Sequence, residues 1–211
     1  WLLSFILEMV QSLSTNLKPA KISSTVLTRV ILVRTGAKYD VWYENRIKHM
    51  IDTYSNIKYD SFHVIRDHVY NDEYNTFNKL LMFKYFKDDC QNIYFDLDTI
   101  IKGDCNRFLT EELHALKPSW NTLPMNSSIL SWRGDYSHIH DKIHEDLDWY
   151  YTRFWKGIDE YLWKYFKPKL FENGFVSFQT EQEEKDYPVY LFNQRHEHMK
   201  EEGWWSKYVD I

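Results

Sequence analysis

Residues 92–104 read NIYFDLDTIIKGD, and their interpretation decides the fold. Ile93, Tyr94, Phe95 and Leu97 suit a buried strand, and Thr99, Ile100 and Ile101 continue the run, yet Asp96 and Asp98 interrupt it. Side chains two apart on a strand share a face, so the two carboxylates are expected side by side unless the strand is already turning out of its sheet. Like charges so placed raise each other's pKa unless a cation sits between them. Hard oxygen donors suit Mg2+ or Mn2+, which keep positions open for water and phosphate oxygens. The structural alternative buries one aspartate and uses the other to cap the turn made with Lys102, Gly103 and Asp104.

The segments before this stretch define its setting. RVILVRTG (29–36) is a compact apolar run ending at a glycine, and reads as the first strand. In DVWYENRIKHMIDTYS (40–55), Val41, Tyr43, Ile47, Met50, Ile51 and Tyr54 recur mostly every three or four residues, as on an amphipathic helix. YDSFHVIRD (59–67) is a second strand; NTFNKLLMFKYF (75–86) is a helix with Asn75 or Thr76 as its cap; NIYFDLDTII is the third strand. Strands alternating with helices imply a parallel sheet with right-handed crossovers, whose ligands sit in the crevice at the C-terminal ends of the strands. Gly36, Asp67 and the Asp96/Asp98 pair fall at such ends.

The second half is less regular. CNRFLTEELHAL (105–116) reads as a short helix and NTLPMNSSILSW (121–132) as an extended segment. SHIHDKIHEDLDWYYTRF (137–154) and GIDEYLWKYF (157–166) read as two helices, GFVSFQ (174–179) and YPVYLFN (187–193) as short strands, and EEGWWSKYV (201–209) as a closing helix or turn.

Composition narrows the classes of partner. The 211 residues are 44% hydrophobic and 18% aromatic, enough for one sizeable core, and the net charge of −5 lacks the basic footprint of a nucleic-acid binder. A small-molecule site is expected, with no nucleic-acid partner and no membrane contact. Cys90 and Cys105 are too few to staple such a fold, and the strand between them, about 30 Å long if extended, holds them apart, so both are expected as free thiols in a reducing, cytoplasmic setting. WLLSFILEMV (1–10) contains Glu8, lacks a basic leader and is about half the ~20 residues of a membrane span. We expect 1–27 to be a fringe segment packed on the core; an upstream translated piece or the remnant of an anchor are the alternatives.

The ordered set VILVRTGAKYD, NKLLMFKYF, YFDLDTIIKGD, MNSSILSW, GIDEYLWKYF and VYLFNQR resembles the metal-dependent glycosyltransferases of the GT-A fold, especially their retaining, galactosyltransferase-like group, over roughly residues 28–209. The resemblance implies an α/β fold: one GT-A-like, Rossmann-like domain (28–211) with a mainly parallel sheet flanked by helices. It implies transfer of a hexose from a nucleoside diphosphate sugar to a hydroxyl of a saccharide or other acceptor. Asp96 and Asp98 match the family's Asp-x-Asp metal motif, and Lys79, Leu80 and Phe83 match a segment that lies over the donor. Thr35, Gly36 and Tyr39, with Asp67 nearby, match the cradle for base and ribose; Asn126 matches a contact to the donor sugar, and Asp159 or Glu160 an acidic residue close to it. A lysine on a solvated helix face and a carboxylate stabilised by a helix start are the structural readings of Lys79 and Asp159.

The chain departs from the family at its end. LFNQRHEHMK (191–200) replaces the usual segment with a metal-binding histidine, leaving Asn193 at the matching place, with His196 and His198 just beyond and Arg195 as a further cation for the diphosphate. This opens a second reading, a nucleotide-sugar-binding module without turnover. A third class, the haloacid-dehalogenase-like phosphatases, also carries an Asp-x-Asp strand, but there the pair normally sits on the first strand. Trp120, Trp132, Trp149, Trp155, Trp204 and Trp205 are available to an acceptor groove or to the core.

Overall fold

The computed structural model describes residues 26–70, 72–120, 122–177 and 187–192. In chain order the elements are β1 (Thr28–Val33), α1 (Val41–Tyr54), β2 (Ser61–Ile65), a 3-10 helix (Asp72–Leu80) that runs into α2 (Leu81–Tyr85), β3 (Gln91–Phe95), β4 (Thr99–Ile101), β5 (His114–Leu116), β6 (Asn126–Arg133), α3 (Ser137–Ile143), α4 (Leu147–Arg153), α5 (Ile158–Tyr165), β7 (Lys169–Phe171), β8 (Phe175–Ser177) and β9 (Val189–Leu191). The main sheet has the order β2-β1-β3-β6-β5-β7. β1 pairs in parallel with β2 and β3, β6 is antiparallel to both β3 and β5, and β7 is parallel to β5, so β6 alone is reversed. A second sheet, β4-β9-β8, joins the chain after the aspartate pair to the segment near residue 190.

The strands alternate between two cores, as a period of two requires. Val30, Leu32, Ile93 and Phe95 pack with Tyr43, Ile47, Met50 and Ile51 of α1 and with the small sheet. Ile31, Val33 and Tyr94 pack on the other face, with Phe77, Leu81, Ile139, Ile143 and Tyr161. A sheet buried on both faces is the environment expected for parallel strands, and it explains the unbroken apolar run VILV in β1. α1 begins where Asp40 accepts a hydrogen bond from the Trp42 amide at 2.9 Å, and it buries four of the six expected residues; Val41 is exposed and Tyr54 lies at the edge of the core.

Four expectations are corrected. The helix of residues 75–86 begins earlier, at Asp72, as a 3-10 helix, so Asn75 and Thr76 lie inside it and do not cap it. Residues 105–116 are not a helix: only Asn106–Phe108 makes a 3-10 turn, Leu109 turns extended, and Ala115 and Leu116 bury themselves as β5 between β6 and β7. The stretch 92–101 is not one strand: β3 ends at Phe95, a turn covers Leu97 and Asp98, and β4 leaves for the second sheet. The segment 137–154 splits into α3 and α4, and β7 had no separate signal in the sequence. Cys90 and Cys105 are both free thiols. Among the described residues no helix is long and apolar enough to cross a membrane.

Candidate active site

A cavity of about 420 Å³ opens at the C-terminal ends of β1 and β3 and the N-terminal end of the reversed strand β6. Thr35, Tyr39, Lys79, Asp96, Asp98, Asn126 and Asp159 all line it. Strand ends, the 3-10 helix and the start of α5 therefore bring together seven residues that are up to 124 positions apart in the sequence.

The two aspartates do not sit side by side on a strand. Asp96 stays on the Tyr94 face of β3, where Lys79 Nζ lies 2.7 Å from Oδ1 and 2.9 Å from Oδ2 and the Tyr94 hydroxyl donates to Oδ1. The turn re-aims Asp98, which is 5% exposed and accepts a hydrogen bond from the Tyr39 hydroxyl at 2.8 Å. Burial first, and then the negative charge of Asp96, push the Asp98 carboxyl up to about 7, against the hydrogen bond from Tyr39 and the charges of Lys38 and Lys79. The same burial followed by both carboxylates pushes Tyr39 far above the ordinary phenol value, so it remains a neutral donor.

Lys79 is not a solvated lysine. Its side chain is 15% exposed, and it also reaches Ser127 Oγ at 3.2 Å. Burial opposes its charge, but Asp96, Asp159 and Asp98 together outweigh that and raise its pKa, so it is a firm ammonium. Asp159 sits in the first turn of α5, with Oδ1 accepting from the Ser127 amide at 3.0 Å and Oδ2 3.4 Å from Asn126 Nδ2. Burial raises its pKa, partly offset by Lys79. Gly157, just before it, has φ +94°, and a Cβ there would lie 2.6 Å from Thr76 Oγ1, so only glycine lets α5 start this close to the 3-10 helix. Asn126 Oδ1 accepts from the Ser128 amide at 3.0 Å, which fixes its side chain at the rim.

Not every expected residue reaches the cavity. Gly36 turns the chain with φ +67° but is not part of the lining, and Asp67 is exposed, accepting a hydrogen bond from the Tyr85 hydroxyl at 2.9 Å. Asn193, Arg195, His196 and His198 lie outside the described residues, as do Trp204 and Trp205. Of the other tryptophans Trp120 lines the cavity, Trp132 is fully buried, and Trp149 and Trp155 are exposed. Sequence reasoning missed Asn75, whose Oδ1 accepts from Thr35 Oγ1 at 2.6 Å, and Ser127, which ties Lys79 to Asp159. It also missed Tyr94, although its place two residues before Asp96 on a strand was a readable signal.

Among the described residues no group of three or more His, Cys, Asp or Glu surrounds a possible metal position. Asp96 and Asp98 supply hard oxygen donors, and the Lys79 ammonium is held at Asp96 while the close partner of Asp98 is the neutral Tyr39 hydroxyl. That donor set fits a hard divalent cation whose other positions are filled from solvent or ligand.

The fold is that of the GT-A glycosyltransferases. Among solved structures, the chain is similar to the glycosyltransferase GlyE of Streptococcus pneumoniae TIGR4, with a TM-score of 0.61 and 13% identity over 87% of this chain and 61% of that one. A glycosyltransferase involved in glycosylation of the major capsid of PBCV-1 matches with a TM-score of 0.57 and 10% identity, over 83% of this chain and 99% of that one. The galactosyltransferase LgtC, solved in complex with donor and acceptor sugar analogs, matches with a TM-score of 0.57 and 10% identity, over 87% and 97%. The chain thus spans about three fifths of the length of GlyE. No protein-family model matches the sequence, and no curated protein matches it.

Proposed function

We propose that this chain is a glycosyltransferase that moves a hexose from a nucleoside diphosphate sugar to an acceptor hydroxyl, with Asp96 and Asp98 holding Mn2+ or Mg2+. The observation that carries this reading is the convergence of two carboxylates, one uncompensated, with a buried ammonium and a third carboxylate in one cavity of a GT-A fold. The cavity volume lies within the range of small-molecule sites. A bound divalent ion would supply Lewis-acid stabilisation to a leaving diphosphate.

The residues of the chain have distinct tasks in this reading. Lys79, already charged and held at Asp96, provides a second positive group for the phosphate oxygens. Asp159 and Asn126, fixed by the Ser127 and Ser128 amides, face the position of the transferred sugar, where a carboxylate stabilises positive charge developing at the anomeric carbon. Thr35 and Tyr39 form the nucleoside side of the cavity, and Trp120 gives the acceptor an aromatic face.

The test is calorimetric titration of uridine and guanosine diphosphate sugars into the chain with and without Mn2+, followed by assay of nucleoside diphosphate release. Binding is expected to require Mn2+, and Asp98→Asn is expected to abolish that requirement together with most of the affinity. Metal-independent binding unchanged in Asp98→Asn would overturn the assignment. Metal-dependent binding with no release of diphosphate in the presence of acceptors would identify a binding module without turnover.

A further inference from the structure

Outside the cavity, α3 and the loop after β2 bring three donor atoms to one point. His140 lies on α3 and His144 caps its C-terminus, one helical turn apart, with their Nε2 atoms 3.2 Å apart. Their ring centroids are 4.7 Å apart, so the nitrogens are closer than the rings and both Nε2 edges tilt inward. The hydroxyl of Tyr70 lies 3.3 Å from His144 Nε2. Two ligands on one tetrahedral zinc, at about 2.0–2.1 Å each, are about 3.3 Å apart.

Without an ion, a single hydrogen bond between the two Nε2 atoms closes this arrangement, and an ion at the same place closes it in a second way. His140 Nδ1 lies 3.1 Å from Asp141 Oδ1, and a carboxylate only accepts, so Nδ1 carries the proton and Nε2 presents its lone pair. If His144 Nε2 is bare, it accepts from the Tyr70 hydroxyl but faces the lone pair of His140 at 3.2 Å. If it carries the proton, it donates to the bare Nε2 of His140, with the Tyr70 oxygen close enough to share that N–H. A cation that takes both Nε2 lone pairs needs them at about this separation, and the Asp141 contact is of the kind that orients metal-binding imidazoles.

We propose that His140 and His144 form a bidentate site for a transition-metal ion of the Zn2+ class, with the Tyr70 hydroxyl beside it and water on the remaining positions. The site differs in kind from the carboxylate pair: imidazole suits Zn2+, Ni2+ and Co2+, whereas carboxylates suit Mg2+ and Mn2+. Burial lowers the pKa of His140 and keeps its imidazole neutral, and His144 is exposed, which gives the ion a path from solvent. With two protein nitrogens and open positions the site is exchangeable and not a closed structural centre.

The test is calorimetric titration of Zn2+ into the whole chain in excess Mg2+, which occupies hard oxygen sites, with the imidazole nitrogen resonances of the histidines followed in parallel. One Zn2+ per chain is expected, shifting two histidine spin systems. His144→Gln, at an exposed position, is expected to weaken uptake at least tenfold, as is His140→Gln, while Asp98→Asn and His196→Gln leave it unchanged. Absence of stoichiometric uptake, uptake undiminished in His144→Gln, or uptake lost in His196→Gln instead would each overturn the site.

Discussion

The cavity has two unlike sides. On the Lys79 side, Asp96 is held by an ammonium and a phenol, and Asp159 is fixed by a backbone amide, so each buried charge has an opposite charge or a strong donor. On the Tyr39 side, Asp98 is more deeply buried and has a neutral phenol for its close partner, and burial, then the charge of Asp96, raises its pKa to about 7. Two carboxylates two residues apart therefore have different close partners, because the turn at Leu97 and Asp98 separates them. The first side holds its charges in pairs, and the second holds the carboxylate proposed above as a cation ligand.

The strongest way to break this contrast is to remove Lys79. Lys79→Met keeps the stem of the side chain and leaves Asp96 and Asp159 facing each other without an ammonium. Breaking a buried pair by deleting one partner costs about 3–5 kcal/mol, and here one cation serves two carboxylates, so the expected loss lies near the upper end. Urea unfolding of the metal-free chain at pH 8 measures it. A loss below about 1 kcal/mol would mean that Lys79 is solvated and that the two sides are alike.

How much of this was legible in the sequence differs between the two halves of the sheet. β1, α1 and β3 follow from local patterns, because a strand buried on both faces is a continuous apolar run and an amphipathic helix repeats every three to four residues. β5 and β7 are three residues long and exist only because β6 pairs with them, so no local pattern marks them, and a helix was expected over 105–116. In the site, Asp96, Asp98, Lys79, Asn126 and Asp159 were expected together, whereas the separate facing of the two aspartates depends on a turn that a strand-like apolar run conceals. Ser127 meets Asp159 through its backbone amide, which every residue but proline would supply, so only its hydroxyl contact with Lys79 depends on residue type.

A second prediction sharpens the contrast through pH. The folded-state pKa of Asp98 is raised above its unfolded value of 3.8, so as pH climbs through about 4 the unfolded chain ionises this group while the folded chain keeps its proton. Stability attributable to Asp98 is therefore highest at low pH and falls until about pH 7, beyond which it is constant. Asp98→Asn removes that fall: with chelator present, the variant is expected to be more stable than the parent at pH 8 by up to about 4 kcal/mol, and to differ little at pH 4. Equal stability of the two chains at pH 8 would show that Asp98 is compensated after all.

The smallest expected effect falls on the hydroxyl that is the close partner of Asp98. Tyr39→Phe keeps the ring, which packs edge-on against Tyr43 at a centroid distance of 5.1 Å, and deletes only the donor to Asp98. A carboxylate that loses its hydrogen bond in a buried place holds its proton to higher pH, so the destabilisation should appear only where Asp98 is ionised. About 1 kcal/mol is expected at pH 8, and less at pH 5, where the protonated carboxyl is neutral and needs no donor to its charge. Adding Mn2+ should shrink the loss, because an ion on Asp98 takes over the compensation that the phenol provided. The measurement is the difference in unfolding free energy between Tyr39→Phe and the parent chain at pH 5 and pH 8, with chelator and with Mn2+. A loss that is the same at both pH values and indifferent to Mn2+ would assign Tyr39 to packing alone and leave the phenol with no part in holding Asp98 for a cation.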